Sequence, residues 1–161
     1  MSDFPGPPDD PSDAEAVFTE SKTFKECVRA FDRGDDETLV LKLKELAGSG
    51  YAKAQHHLAF MYREGRGTEQ NDELAFDWYK LAAEQGHAPA QYNLGLMYGN
   101  GRGVPQNYVR AHMWFNLASV NVTGEDHKRH SRARDLVAGL MSSKQITEAK
   151  RLAAEWKPKK E

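Results

Sequence analysis

The chain has 161 residues, enough for one hydrophobic core, and its 39% hydrophobic and 29% charged content is that of an ordinary globular chain. Its formal net charge of -2 gives no electrostatic case for nucleic acid or for an anionic membrane surface. The one cysteine, Cys27, excludes an internal disulfide and a cysteine-built zinc site, and no apolar run approaches the roughly 20 residues that span a bilayer.

Residues 1–21 contain Asp3, Asp9, Asp10, Asp13, Glu15 and Glu20 and no Lys or Arg. Pro5, Pro7, Pro8 and Pro11 fix the backbone and remove amide donors there. One-sided charge and frequent proline predict a disordered leader, with a docking peptide as the alternative reading. No basic stretch followed by an apolar stretch is present, so no secretory signal is read. The expected location is cytoplasmic, or periplasmic or envelope-associated if a signal has been removed.

Phe24, Cys27, Val28 and Phe31 follow at helical spacing and end at Gly34, which predicts a first helix. Lys44, Ala47 and Gly50 match Lys80, Ala83 and Gly86 at an offset of 36 residues. The same offset lays residues 52–87 over residues 88–123 without gaps. Identical pairs are Ala52/Ala88, Ala54/Ala90, Gln55/Gln91, Leu58/Leu94, Met61/Met97, Tyr62/Tyr98, Gly65/Gly101, Arg66/Arg102 and Gly67/Gly103. Gln70/Gln106, Asn71/Asn107, Ala75/Ala111, Trp78/Trp114, Leu81/Leu117 and Ala82/Ala118 continue the series. Fifteen of 36 positions agree, several-fold above chance, so the segment is an internal repeat.

Each unit reads as two helices. Ala54, Leu58, Met61 and Tyr62 share one helical face, and Gly65 and Gly67 stop that helix. Asn71 or Asp72 caps the next helix, which carries Ala75, Trp78, Tyr79 and Ala82 and ends at Gly86. A hairpin of this size cannot bury its own apolar faces, so neighbouring hairpins must stack. Residues 125–141 predict a further helix with Ala133, Leu136, Val137, Leu140 and Met141 on one side. Ser142 and Gln145 form a capping-box pattern before Ile146, Ala149, Leu152, Ala153 and Trp156, and Pro158 ends the last helix. The fold class expected is all-α, with about four αα-hairpins over residues 22–51, 52–87, 88–123 and 124–157 and a basic tail at 158–161.

The string Ala88-x-Ala90-Gln91-x-x-Leu94-Gly95-x-Met97-Tyr98-x-x-Gly101-x-Gly103-Val104-Pro105-Gln106 resembles the Sel-one-like repeat family, within the tetratricopeptide superfamily. Trp78-Tyr79-x-x-Ala82-Ala83-Glu84-Gln85-Gly86 resembles it too, and the first complete repeat departs at Thr68 and Glu69, where the second has Val104 and Pro105. The resemblance implies a right-handed α-solenoid whose first helices line a concave face. It also implies an adaptor or scaffold role in protein complexes, often in bacterial signalling or envelope processes.

Packing residues are shared between copies, whereas binding residues need not be. By analogy with tetratricopeptide helices, the inner-face set is Lys53, His56, Phe60, Arg63 and Glu64, continued by Tyr92, Leu96 and Asn100. Phe60, Tyr92 and Leu96 would be apolar anchors, and Lys53 and Arg63 would hold an acidic group or a C-terminal carboxylate. The bland alternative is that these are ordinary surface and inter-repeat residues.

Other chemistry is poorly supported. His56 and His57 diverge by about 100° on a helix. His127 and His130 share a face near Glu125 and Asp126, where a metal site is weighed against a solvated helix surface, and the latter is favoured. Gly99-Asn100-Gly101-Arg102-Gly103 and Gly65-Arg66-Gly67 read as turns, because no Gly-Lys-Ser/Thr follows them. Cys27 reads as a buried, inert thiol. The expected function is therefore protein or peptide binding on the concave face. No enzyme activity, cofactor, metal, nucleic acid or membrane insertion is expected. A hydrolase or metal-dependent enzyme and a purely structural, self-associating protein are the alternatives.

Overall fold

The computed structural model describes residues 21–159. Residues 1–20 of the acidic, proline-rich leader read at 1–21, and Lys160 and Glu161 of the basic tail, lie outside the described residues. Among the described residues the chain forms eight α-helices, and it divides into two compact units between Trp78 and Tyr79. The class is an all-α helical-repeat solenoid.

The first unit holds α1 (Lys22–Arg33), α2 (Asp36–Gly48), α3 (Ala52–Glu64) and the start of α4 (Asp72–Glu84). Ser21 caps α1 by accepting from the Phe24 amide, and Gly34 closes it in the left-handed conformation at φ +70. Asp35 caps α2 at once, accepting from the Thr38 amide at 3.1 Å, so the two helices turn back in two residues. Leu39, Val40, Leu43 and Leu46 of α2 are buried against α1 and α3. Ala54, Leu58, Ala59 and Met61 form the buried side of α3.

The stripe expected on α1 is divided. Cys27 points inward with Thr23 and Ala30, whereas Val28 and Phe31 stay 43% and 64% exposed. The cause is angular: at 100° per residue, Thr23, Cys27 and Ala30 cluster on one side and Phe31 and Val28 fall progressively off it.

The second unit holds the end of α4, α5 (Ala88–Asn100), α6 (Tyr108–Val120), α7 (Gly124–Ala138) and α8 (Ser143–Glu155). Here α6 is central and packs on α5, α7 and α8. Its residues Ala111, Met113, Trp114, Phe115 and Ala118 are all buried. Phe115 reaches so close to α5 that a Cβ on Gly95 would stand 2.6 Å from its ring. Trp156, just past α8, meets Trp114 edge-on with ring centroids 6.1 Å apart. The Lys159 amide donates to the Glu84 carbonyl at 2.8 Å, fastening the tail to the last turn of α4.

The capping box at Ser142 and Gln145 is present in both directions. The α7 helix ends at Ala138, three residues short of the sequence reading, because Gly139 follows as its cap. Leu136 and Leu140 are 70% and 65% exposed, so the apolar side expected there is not buried. The helix instead meets α6 through His130, with Ala133 and Val137 half-buried beside it.

Candidate protein-interaction surface

The two complete repeats use the same backbone bonds to present their first helices. In the first, Gly65 at φ +65 ends α3, the Arg66 amide donates to Met61, and the Asn71 amide donates to Tyr62 at 2.9 Å. In the second, Gly101 at φ +65, Arg102 to Met97 and Asn107 to Tyr98 at 2.9 Å reproduce the arrangement. Asn71 and Asn107 then cap the following helices through their side chains, each at 3.0 Å. The glycine-rich strings are thus turns, and their identity between repeats has a structural cause.

Two residues that the sequence reading left among the shared pairs turn out to be structural fasteners. The Gln55 side chain, 2% exposed, donates to the Ala47 carbonyl of the preceding helix at 3.2 Å. The Gln91 side chain, also 2% exposed, donates to the Ala83 carbonyl at 3.2 Å. Each adds a side-chain donor to a carbonyl in the last turn of the helix before it, which also accepts from the Gly50 or Gly86 amide just past that helix. A polar residue kept identical at a predicted core position was the available signal.

On α3, Lys53 and Glu64 are exposed, and His56, Phe60 and Arg63 are half-buried. Their spacing places them along one side of the helix, away from Ala54, Leu58 and Met61. The Arg63 guanidinium lies 5.4 Å from the Phe60 ring centroid, and its Nε donates to Glu64 Oε1 at 2.9 Å. Phe60, Arg63 and Glu64 are therefore already assembled as one cluster. The His56 and His57 rings meet edge-on with centroids 5.3 Å apart.

On α5, Tyr92 and Leu96 are half-buried and Asn100 is exposed. Tyr92 is occupied by its own chain: its ring stacks on His130 at 4.7 Å and tilts against Phe115 at 5.6 Å. Its larger role is to join α5 to α6 and α7, which leaves Leu96 and Asn100 as the more open positions of that side.

His127 and His130 have structural work. His130 Nδ1 donates to the Ala118 carbonyl and His127 Nδ1 to the Ser119 carbonyl, each at 2.9 Å, so the pair caps the C-terminal turn of α6. Among the described residues no group of three or more His, Cys, Asp or Glu is placed to hold a metal ion. His112 is buried on α6, its Nδ1 has no hydrogen-bond partner among the described residues, and burial pushes its imidazole below the usual range, helped by Arg134 and Lys150. Cys27 is buried, and desolvation raises its thiol to about 11, which keeps it protonated and unreactive. No helix among the described residues is long and apolar enough to cross a membrane.

Comparison with known proteins gives a family match. The family model for the Sel1 repeat matches residues 52–87 and 88–119. A Sel1 repeat protein from Oxalobacter formigenes has a similar solved structure, with a TM-score of 0.61 and 32% identity, covering 68% of this chain and 86% of that one. A protective antigen present in uropathogenic Escherichia coli strains, displaying an SLR fold, is similar with a TM-score of 0.76 and 25% identity. That match covers 91% of this chain and 33% of the antigen, so the chain spans about a third of the antigen's length. No curated protein matches the chain.

Proposed function

Because the chain belongs to the Sel1 repeat family, whose members generally mediate protein–protein interactions, we propose that it is an adaptor binding a peptide or partner protein through the first helices of its repeats. The residues it would use are Lys53, His56, Phe60, Arg63 and Glu64 on α3 of the first unit and, taken separately, Tyr92, Leu96 and Asn100 on α5 of the second. They lie in the repeats 52–87 and 88–123, with hairpins over residues 22–51 and 124–157 proposed on either side in sequence. The family is typically a non-catalytic scaffold, and this reading assigns the chain no catalytic role.

The observation that carries the proposal is the Phe60–Arg63–Glu64 cluster. It sits on the side of α3 opposite the buried packing residues, and it occupies positions where the two repeats differ. A stacked guanidinium keeps a planar donor fork near an aromatic surface, a combination enriched in binding hot spots. A partner carboxylate would compete with Glu64 for that fork. Tyr92 contributes by holding α5 in place and by the edge of its ring.

The test compares partner capture by the intact chain with capture by Phe60→Ala plus Arg63→Glu, and separately by Leu96→Ala plus Asn100→Ala. Tyr92 is left intact, because its contacts with His130 and Phe115 would confound binding with folding. A partner bound by the intact chain should bind the α3 variant at least about tenfold more weakly while helicity is unchanged. Equal binding by both variants and the intact chain would refute this placement.

A further inference from the structure

The hairpin of α7 and α8 is held on α6 by few apolar contacts. Of α7 only His130 is buried and of α8 only Ala149, whereas α6 buries Ala111, Met113, Trp114, Phe115 and Ala118. The fastenings of the hairpin are mostly polar. His127 and His130 bond the end of α6, Arg134 donates to Asn116 Oδ1 at 3.2 Å, Lys159 bonds Glu84, and Trp156 meets Trp114. At the entry to α7, Thr123 makes no side-chain cap bond, and nothing lies within 4 Å of where a Cβ on Gly124 would stand. A segment of this kind opens at lower cost than the core beneath it, because water replaces its polar partners and little apolar area is given up.

His112 lies under this hairpin. It shares a side of α6 with Asn116, one turn on, which Arg134 of α7 holds. The preceding repeat carries Phe76 at the equivalent position. Here an imidazole takes the place, 3% exposed, with Nδ1 unpaired among the described residues. A buried polar atom without a partner costs stability, and a phenylalanine would avoid that cost. The charges that bear on the ring all come from the hairpin, Arg134 and Asp135 on α7 and Lys150 on α8. The third helix against α6 is α5, which carries no charged residue. Burial first, then Arg134 and Lys150, press the ring toward its neutral form, and Asp135 opposes them.

We propose that α7 and α8 form a lid over α6 that opens when His112 takes up a proton, baring His112 and Trp114 while α5 and α6 stay folded. With the lid closed, the imidazole titrates below its ordinary value of 6.5. With the lid open, the ring meets water and returns to that value, so the open state binds more protons. The stability of the closed lid is full above about pH 6.5 and is lost as pH falls toward the depressed closed-state value. Opening gains at most about tenfold per pH unit, and up to roughly thirtyfold at pH 5. The lid lies wholly within the second unit and does not depend on the binding residues proposed on α3.

Hydrogen exchange of the full chain at pH 7.5 and at pH 5, corrected for the intrinsic pH dependence of amide exchange, reads the lid helix by helix. Protection in α7 and α8 should fall at least about tenfold more than protection in α5. His112→Phe and His112→Gln should each remove that difference, and if one variant fails to fold the other decides. Lys150→Gln, at an exposed side chain, should shrink the difference, because losing a nearby cation raises the closed-state value of the ring. Binding of an apolar dye should rise at pH 5 in the parent and stay low in the His112 variants. An equal fall of protection in α5, α7 and α8 would overturn the proposal, since acid would then act on the whole unit. So would an undiminished acid response in a folded His112 variant.

Discussion

The Arg66 guanidinium grips both carboxylate oxygens of Asp36, Nε to Oδ2 at 3.1 Å and the terminal nitrogen to Oδ1 at 3.0 Å, across 30 residues of sequence. This bond ties the turn after α3 to the first residue of α2. The ion pair is partly exposed, so its own contribution is at most about 1 kcal/mol. The close approach it accompanies is more demanding, because Gly67 lies directly against the Asp36 carbonyl.

Gly67→Ala should therefore cost much more than Gly34→Ala. Both glycines have positive φ, +67 and +70, so either alanine is strained by about 1–2 kcal/mol. Around Gly34 there is open space, whereas a Cβ on Gly67 would collide with the Asp36 carbonyl and with backbone that cannot rotate away. A total loss of about 3 kcal/mol or more is expected for Gly67→Ala, and about 1–2 kcal/mol for Gly34→Ala. Urea midpoints at unchanged slope measure the difference.

Gln91→Leu tests the buried amide. It preserves most of the volume but removes the side-chain donor to the Ala83 carbonyl, which keeps the Gly86 amide at 3.0 Å, so a loss of about 0.5–1.5 kcal/mol is expected. Gln55→Leu should behave alike through Ala47, because the bond length and burial are the same. A surface control, Gln106→Leu, should change stability by less than about 0.5 kcal/mol, since its bond to Gly99 is exposed. If all three substitutions have equal effects in urea titration, the buried amides carry no special role.

His112 should make the fold sensitive to acid. Its folded-state imidazole titrates below the ordinary value of 6.5, so the native state binds fewer protons than the unfolded chain. The stability from keeping it neutral is full above about pH 6.5 and is lost as pH falls through the depressed folded value. The slope due to this group is at most about 1.4 kcal/mol per pH unit. His112→Phe installs the residue that the preceding repeat carries at the equivalent position, Phe76, and removes an unpartnered nitrogen. Thermal melts from pH 7.5 to 5 should show a smaller acid-side decline in the variant.

The repeat was legible because packing imposes identity: Ala54, Leu58, Met61 and their counterparts recur since the same cavity recurs. Helix ends were legible for a similar reason, as Gly34, Gly65, Gly101 and Ser142 occupy the backbone positions that their chemistry favours. Burial was less legible at the ends of the array. Helical spacing puts Phe31 and Leu136 near an apolar stripe, but it does not say which part of that stripe a neighbour covers. In the proposed interaction set, the placement of Phe60 and Arg63 away from the buried side of their helix was readable. The engagement of Tyr92 by His130 was not, because it depends on a contact 38 positions away in the chain (from 92 to 130) that no local pattern encodes.

The glutamine bonds have a consequence for how such a chain can grow. Gln55 reaches back eight residues to Ala47, and Gln91 reaches back eight to Ala83. A duplicated stretch equivalent to residues 52–87 brings its own donor near its beginning and its own acceptor near its end. Gene duplication in whole modules therefore restores every junction it interrupts. An insertion of any other length within those eight residues separates donor from acceptor and creates a seam with a buried group unmatched. The inheritance unit of the array is thus set by a hydrogen bond at the joints, which favours lengthening by complete copies over gradual extension.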